Sequence, residues 1–251
     1  MNKNHKVGLY IADINETEYD YEFWYNSMIP ARAERCDRFR FDEDKKRCVL
    51  AWTLLMYCLS AFENGNRISD FTDSRSDNSQ LPVKMGRIVN IPSALDETLT
   101  RYLENYRVSE KGKPYIENGK IRFNLSHSGS RVICAVSENE VGCDVEKKTG
   151  DCLKIAQRFF APQEYDFLSK ITQEEQLEKE FLKLWTMKEA FVKANGMGIA
   201  YPFSEVSFVD EKGFYCNRVE DLDGNKYFIE NIDMNDEYSY SICVSENSKI
   251  G

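Results

Sequence analysis

The sequence predicts an α+β fold, and two observations lead to that prediction. Long helical patterns cover residues 42–62 and 173–195, whereas three short strand patterns follow one another at 122–126, 131–137 and 141–147. Because strands and helices do not alternate strictly, the pattern disfavours a doubly wound parallel sheet. The order of strand, helix and further strands recurs along the chain, which suggests two similar halves, although no sequence repeat is visible.

Local signals predict the remaining elements. We expect a strand at 7–14, helices at 18–28, 151–160 and 162–169, a helix capped by Ser93, and strands at 204–209, 226–232 and 238–244. Gly196 stands just after the periodic part of the last long helix, where a left-handed C-cap belongs. Residues 63–80 are polar and rich in turn formers, so they predict a loop with no core of its own.

Composition limits the classes of function. The chain has 251 residues, and its 33 basic and 42 acidic side chains give a net charge of −9. That balance argues against a protein coated with positive charge for duplex nucleic acid. The longest apolar run, residues 49–62, is too short to span a membrane, and Asp13 interrupts the first apolar stretch, so no signal peptide is expected. We expect a soluble, cytoplasmic protein without nucleic-acid or membrane partners.

Cysteine and histidine usage agrees with that location. The eight cysteines form no CxxC pair, and several stand in apolar runs, which is typical of reduced, buried thiols. The two histidines are too few for a multi-histidine metal site. Any metal in this protein should therefore be bound by oxygen.

Two acidic motifs could carry chemistry. On a strand at 141–147, Asp144 and Glu146 point to one face while the apolar residues point to the other. Magnesium suits such a carboxylate pair, although an ordinary strand with its acids in water is the simpler interpretation of this motif alone. On the following long helix, Glu189 and Lys193 share a face at i and i+4. By itself this spacing indicates a plain ion pair.

Two further motifs could bind an anion. The segment FNLSHSG places His127 in a polar, glycine-containing turn, which can present N–H groups to an anion or simply close a hairpin. The basic cluster around Arg32, Arg35 and Arg47 is either a phosphate clamp or a solvated helix face. The chain has no Walker A sequence, nucleophile elbow or paired CxxC, which disfavours P-loop kinases, Rossmann enzymes and zinc proteins.

Taken together and in order, these motifs resemble those of the surfactin-type 4′-phosphopantetheinyl transferases. The matching segments are GKPYI at 112–116, FNLSHSG at 123–129, VGCDVEK at 141–147, RFFAPQEY at 158–165 and LWTMKEAFVKANGMGI at 184–199. RAERCDRFRFDEDKKR, near the N-terminus, is a looser match to the family's basic segment. The resemblance covers nearly the whole chain outside about 63–107.

The resemblance implies two similar α+β subdomains that form a pseudo-dimer within one monomeric chain, with the active site in the cleft between them. The expected division is an N-terminal subdomain at 1–140, with a polar insertion at about 63–107, and a C-terminal subdomain at 141–251. Family members transfer the 4′-phosphopantetheine arm of coenzyme A to a serine of an acyl, peptidyl or aryl carrier protein. They release adenosine 3′,5′-bisphosphate and use Mg²⁺.

The resemblance also implies roles for individual residues. Asp144, Glu146 and Glu189 would bind the metal, Glu189 would help to deprotonate the carrier serine, and Lys193 would stabilise the leaving pyrophosphate. The coenzyme A site would be formed by Arg32, Arg35, Arg47, Lys113, Pro114, Ser126 and His127, with Lys188 assisting. Two alternatives remain open: a Mg²⁺-dependent phosphodiesterase or nuclease that uses the same carboxylates, and a non-catalytic module that binds coenzyme A or a carrier protein.

Overall fold

The computed structural model describes residues 7–63, 83–94, 97–147, 151–198 and 201–246. Contacts between residues divide the chain into two compact units, residues 1–138 and 139–251. Each unit combines a four-stranded sheet with a long helix, which confirms the predicted α+β class. Among the described helices, none has the length and apolar character needed to cross a membrane.

The first unit contains four helices and eight strands in its described part. The strands are β1 (Val7–Asp13), β2 (Glu18–Tyr19), β3 (Val83–Arg87), β4 (Asn90–Ile91), β5 (Tyr106–Val108), β6 (Pro114–Ile116), β7 (Arg122–Ser128) and β8 (Arg131–Ser137), and the helices are α1 (Tyr21–Asn26), α2 (Pro30–Asp37), α3 (Asp42–Glu63) and α4 (Glu97–Asn105). The main sheet has the order β3-β1-β8-β7. Helix α3 supplies much of the core, where Trp52, Leu54 and Leu55 are fully buried. Its acidic first turn agrees with the helix dipole.

The second unit contains the remaining elements. They are β9 (Val141–Lys147), α5 (Cys152–Phe159), α6 (Pro162–Ser169), α7 (Glu174–Asn195), β10 (Arg218–Glu220), β11 (Lys226–Ile232) and β12 (Tyr238–Ser245). The sheet order is β10-β11-β12-β9. Helix α7 ends at Gly196, whose φ of 76° confirms the predicted left-handed cap.

The two units share one core topology. In each, the first strand pairs antiparallel with the last strand, which pairs antiparallel with the strand before it: β1-β8-β7 in the first unit and β9-β12-β11 in the second. In each, a helix of 22 residues lies in sequence between the first strand and that final hairpin.

One predicted element is wrong and another is only partly described. The expected strand at 204–209 is instead a short 3₁₀ turn, Phe203–Glu205, followed by irregular chain. Its carbonyl oxygens at Phe203 and Val206 accept hydrogen bonds from Lys188, so they are not available to a sheet ladder. Most of the predicted loop at 63–80 lies outside the described residues, which resume at Val83 as strand β3.

Candidate active site

Strand β9 and helix α7 bring together four residues that the sequence indicated. Asp144 and Glu146 come from the strand, and Glu189 and Lys193 from the helix. Nζ of Lys193 lies 2.5 Å from Oδ1 of Asp144, and Asp144 is only 2% exposed. The carboxylate-bearing face of β9 therefore lies under α7, and the simpler interpretation of acids in open water is wrong for Asp144.

A glycine allows this close packing. A Cβ atom added at Gly142 would lie 2.1 Å from the carbonyl oxygen of Ala190 and 2.4 Å from the backbone nitrogen of Ala194. The backbones of β9 and α7 therefore touch at this point, two residues before Asp144. Any larger residue would force the strand away from the helix that carries Glu189 and Lys193.

The charges of the cluster influence one another. Burial, and then the neighbouring carboxylates of Asp144 and Glu146, raise the pKa of Glu189. Burial disfavours the ammonium of Lys193, but the contact with Asp144 outweighs it and raises the pKa of Lys193. Glu189 thus has a higher proton affinity than an ordinary glutamate, which suits a group that must accept a proton.

The donor set matches a hard divalent cation in chemistry. Three carboxylates face one lysine, leaving an excess of two negative charges, and every potential ligand is an oxygen. Among the described residues, however, no group of three histidine, cysteine, aspartate or glutamate side chains has the spacing of a metal site. In this arrangement Lys193 supplies the positive charge beside Asp144.

In the first unit, one predicted group lies around the turn after β7. Arg47, on α3, donates from Nη1 to the carbonyl oxygen of Gly129 at 2.6 Å, and it also pairs with Asp44. His127 is exposed near this turn, and Ser126 is buried one residue earlier. The structure thus brings the Arg47 guanidinium to the turn that follows His127.

A second group lies beside the β5-β6 hairpin. Arg32 of α2 stacks on Trp52, 5.3 Å from the ring centroid, and donates to the Tyr106 hydroxyl at 3.3 Å. The pairing of Val108 with Pro114 closes that hairpin, and Lys113 precedes the pair. Arg35 is exposed on α2.

Comparison with known proteins shows a family similarity in the second unit. The sequence model of the 4′-phosphopantetheinyl transferase superfamily matches residues 140–243, which include both β9 and α7. Over these residues the chain is similar to the members of that superfamily.

Individual relatives extend the match. A 4′-phosphopantetheinyl transferase of Bacillus subtilis is 36% identical over 56% of this chain and 63% of its own length. The 4′-phosphopantetheinyl transferase Sfp of Bacillus subtilis strain 168 is 28% identical over 95% of this chain and 91% of its own. The crystal structure of the holo-[acyl-carrier-protein] synthase of Thermotoga maritima is 22% identical and covers 44% of this chain and 64% of that one, with a TM-score of 0.35.

The superfamily match contains the acidic cluster but not the basic residues of the first unit. Asp144, Glu146, Glu189 and Lys193 fall within residues 140–243, whereas Arg47 and the other first-unit residues precede them. The relative that spans 95% of the chain extends the similarity into that part.

Lys188 occupies a different environment from its helical neighbour Glu189. Lys188 is only 1% exposed. Its ammonium nitrogen lies 2.7 Å from the Glu164 carboxylate and 2.8 Å from each of the carbonyl oxygens of Phe203 and Val206. Burial raises the pKa of Glu164 and lowers that of Lys188, while the hydrogen bonds between and around them oppose both shifts. Because all three ammonium donors are used inside the unit, we leave Lys188 out of the proposed coenzyme A site.

Sequence reasoning missed two residues that shape the site. Gly142 belongs to the matched motif VGCDVEK. A glycine within a strand also indicates that another backbone approaches closely, so the sequence did carry a signal for this contact. Glu164 belongs to the motif RFFAPQEY, yet nothing in its spacing links it to Lys188, 24 positions later.

Proposed function

We propose that this protein transfers the 4′-phosphopantetheine arm of coenzyme A to a serine of an acyl, peptidyl or aryl carrier protein. The products are the holo-carrier and adenosine 3′,5′-bisphosphate. The observation that carries the proposal is the convergence of Asp144, Glu146, Glu189 and Lys193 where β9 packs on α7, within the superfamily match. The similar proteins from Bacillus subtilis are named for this reaction, which supports the reaction class.

The reaction forms a bond from the serine oxygen to the β-phosphorus and breaks the bridging bond to the α-phosphate oxygen. Glu189 takes the proton of the serine hydroxyl, a role that its raised pKa favours. Lys193, whose ammonium lies beside the carboxylate cluster, stabilises the charge that collects on the departing phosphate oxygens.

In this proposal Mg²⁺ would be held by Asp144, Glu146 and Glu189, three carboxylates that face a single lysine. When bound, it would neutralise charge on the pyrophosphate oxygens. Because Lys193 now contacts Asp144, we expect its ammonium to turn toward the phosphate when a cation takes that position.

The coenzyme A end is assigned to the first unit. Arg47 and His127, near the turn after β7, receive the 3′-phosphate, for which arginine offers a planar fork of donors. Arg32, Arg35, Lys113, Pro114 and Ser126 line the adenine end. The proposal includes two subdomains, 1–140 and 141–251, arranged as a pseudo-dimer with the active site in their cleft, and a monomeric, cytoplasmic enzyme. The core topology that both units share supports the pseudo-dimer part of this proposal.

The deciding experiment is intact-protein mass spectrometry of an apo carrier protein incubated with this protein, coenzyme A and Mg²⁺. We expect the mass of one phosphopantetheine arm to be added, and EDTA to prevent it. No addition with cleavage of coenzyme A would indicate a phosphodiesterase instead. No addition across several unrelated carriers, with coenzyme A bound and intact, would indicate a binding module.

Variants assign the reaction to the cluster. We expect Asp144→Ala and Glu189→Ala each to lose on the order of 10²-fold or more in rate, as when one preorganised charge is removed from an active site. The matched control is Glu174→Ala, which removes an exposed carboxylate from the same helix and should leave the rate unchanged. Near wild-type transfer by both site variants would reject the assignment.

A further inference from the structure

A cavity of about 520 Å³ lies in the first unit, at the end of the main sheet where β7 begins and β8 ends. Helix α4 and the last turn of α3 contribute one wall, and the turn between β6 and β7 contributes another. The volume is within the range of small-molecule sites. His127 lies near the opposite end of β7, about 20 Å away at the rise of a strand. The cavity is therefore separate from the site assigned above.

Apolar side chains line part of this cavity. Ile116 and Ile121, on either side of the β6-β7 turn, are 3% and 8% exposed, and Phe62 of α3 lies on the same lining. The turn itself is tight, because the backbone nitrogen of Gly119 donates to the Ile116 carbonyl oxygen at 3.1 Å and Asn118 has a φ of 56°. A hydrogen-bonded turn of this kind holds its shape, so the apolar surface is formed before a ligand arrives.

Two of the three carboxylates that line the cavity are already paired. Glu63 accepts from Arg101, at 2.5 and 2.6 Å, and from the Tyr102 hydroxyl. Glu117 lies 2.9 Å from the Arg107 guanidinium. Since each of these carboxylates is neutralised by an arginine, neither favours a ligand of one sign.

The remaining two charges of the lining are one cation and one anion. Lys120 and Glu138 both line the cavity, and in the described part of the chain neither forms an ion pair. The strand register places them close together. Arg122 pairs with Ser137, and Glu138 stands one residue and Lys120 two residues beyond that pair. A ligand that contacts both would carry a negative and a positive group only a few bonds apart.

This arrangement disfavours the other classes of small ligand. A phosphate or a dicarboxylate would be repelled by Glu138, and a polyamine would be repelled by Lys120. Among the described residues, no group of three side chains could hold a metal ion. A zwitterion with an apolar body matches both charges and the apolar lining.

We propose that this cavity binds a free α-amino acid with a large apolar side chain. Lys120 would bind its α-carboxylate, Glu138 would bind its α-ammonium, and the side chain would lie against Ile116 and Ile121. This inference goes beyond the proposed transfer reaction and does not depend on it, because binding can be measured without a carrier protein or coenzyme A.

Isothermal titration calorimetry with three matched probes tests the charges of the ligand. L-Phenylalanine carries both charged groups, 3-phenylpropionate lacks the ammonium, and phenethylamine lacks the carboxylate. We expect one molecule of L-phenylalanine per chain. Each of the other probes should bind at least about 10-fold more weakly, because it loses one charge-assisted hydrogen bond.

Two results of this titration would contradict the proposal. Equal affinities for the three probes would show that the protein binds only the aromatic ring. No binding of L-phenylalanine, L-leucine or L-tryptophan would show that the cavity is not an amino-acid site.

Variants assign each charge of the ligand to its partner. Glu138→Gln should abolish the preference for L-phenylalanine over 3-phenylpropionate, and Lys120→Met should abolish the preference over phenethylamine. Both side chains are exposed, so neither change should disturb folding. The matched controls are Glu104→Gln on α4 and Lys84→Met on β3, which are exposed outside the cavity and should keep both preferences. If the two cavity variants keep them as well, the amino acid binds elsewhere and the proposal is wrong.

Coenzyme A distinguishes this cavity from the donor site. Because the cavity lies at the far end of β7 from His127, saturating coenzyme A should leave the affinity for L-phenylalanine unchanged. Displacement of L-phenylalanine by coenzyme A would place the amino acid in the donor site and overturn the proposal. Failure to modify a carrier protein would instead reject the proposed function, and the amino-acid titration would still support or reject this cavity.

Discussion

The chemical behaviour of each residue in the acidic cluster depends on the charged residues that lie beside it. A carboxylate pair on a strand and a Glu-Lys pair on a helix are both ordinary surface motifs, and each alone favours a solvated face. The structure places Asp144 against Lys193 and close enough to Glu189 to raise its pKa. These four residues together thus form a site with an excess of negative charge.

That imbalance predicts the effect of removing one charge. In EDTA, Glu189→Gln should raise the midpoint of thermal unfolding, because it relieves burial of a carboxylate beside Asp144 and Glu146. In excess Mg²⁺ the wild type should gain more than the variant, because ligand binding stabilises the folded state. Calorimetry under both conditions measures this, with Glu174→Gln as control. A lower midpoint in EDTA would show that the attraction of Glu189 to Lys193 outweighs its repulsion from Asp144 and Glu146.

A second residue-scale prediction concerns His127, which is exposed near the turn that Arg47 contacts. If His127 binds the 3′-phosphate, His127→Ala should raise the KM for coenzyme A and leave the kinetics with dephospho-coenzyme A unchanged, since that donor lacks the group. Steady-state kinetics with the two donors make the comparison. Equal losses with both would remove His127 from this role.

At the scale of elements, the contact between β9 and α7 depends on one missing side chain. Gly142→Ala would place a methyl group against the helix backbone, which cannot move as a flexible side chain can. We expect a loss of at least about 1–3 kcal/mol in the free energy of unfolding, as for overpacked interiors, together with a fall in kcat.

The matched control for this prediction is Gly8→Ala in β1. The atoms nearest to its added Cβ belong to the Tyr10 side chain, which can rotate away more readily than a backbone. Chemical denaturation and transfer kinetics should show the smaller effect at Gly8. Similar effects at both positions would mean that strand glycines matter for the strand itself and not for the helix contact.

The buried ion pair is the second feature at this scale. Lys188 and Glu164 join α7 and α6 to the chain at 203–208. Lys188→Met alone should lose about 3–5 kcal/mol of stability, because it leaves the Glu164 charge without its partner. The double variant Lys188→Met with Glu164→Gln should recover part of that loss in a denaturation series. No recovery would show that the backbone contacts, not the pairing of charges, carry the stability.

At the scale of the whole molecule, local sequence patterns predicted individual helices and strands. They did not predict features that depend on contacts between residues far apart in the sequence. Helix α3 was predictable from its acidic first turn and its continuous apolar run, and α7 and β9 from the regular spacing of their apolar residues. The strand expected at 204–209 does not form, because the Lys188 ammonium on α7 donates hydrogen bonds to the carbonyl oxygens of Phe203 and Val206 in this segment. The convergence of β9 with α7 followed only from the family resemblance, since no local pattern tells which face of a strand a later helix covers.

Thiol reactivity provides a test of the fold as a whole. The eight cysteines all lie in the described part of the chain and are thiols rather than disulfides, and six of them are buried: Cys36, Cys48, Cys58, Cys134, Cys143 and Cys243. A thiol reagent should modify at most Cys152 and Cys216 rapidly in the native protein, and all eight in denaturant without a reductant. Fewer than eight modified cysteines in denaturant would reveal a disulfide. Rapid modification of more than two cysteines in the native protein would contradict the buried core.

The absence of a side chain at Gly142 also gives a criterion by which related chains can be judged. A related chain that kept every charged residue of the cluster but carried a larger residue at this position would look intact by its ionisable groups alone. The steric argument classifies it instead as a candidate pseudoenzyme, because its strand could not lie against the helix. Loss of catalysis during evolution would then begin at a residue with no chemistry of its own.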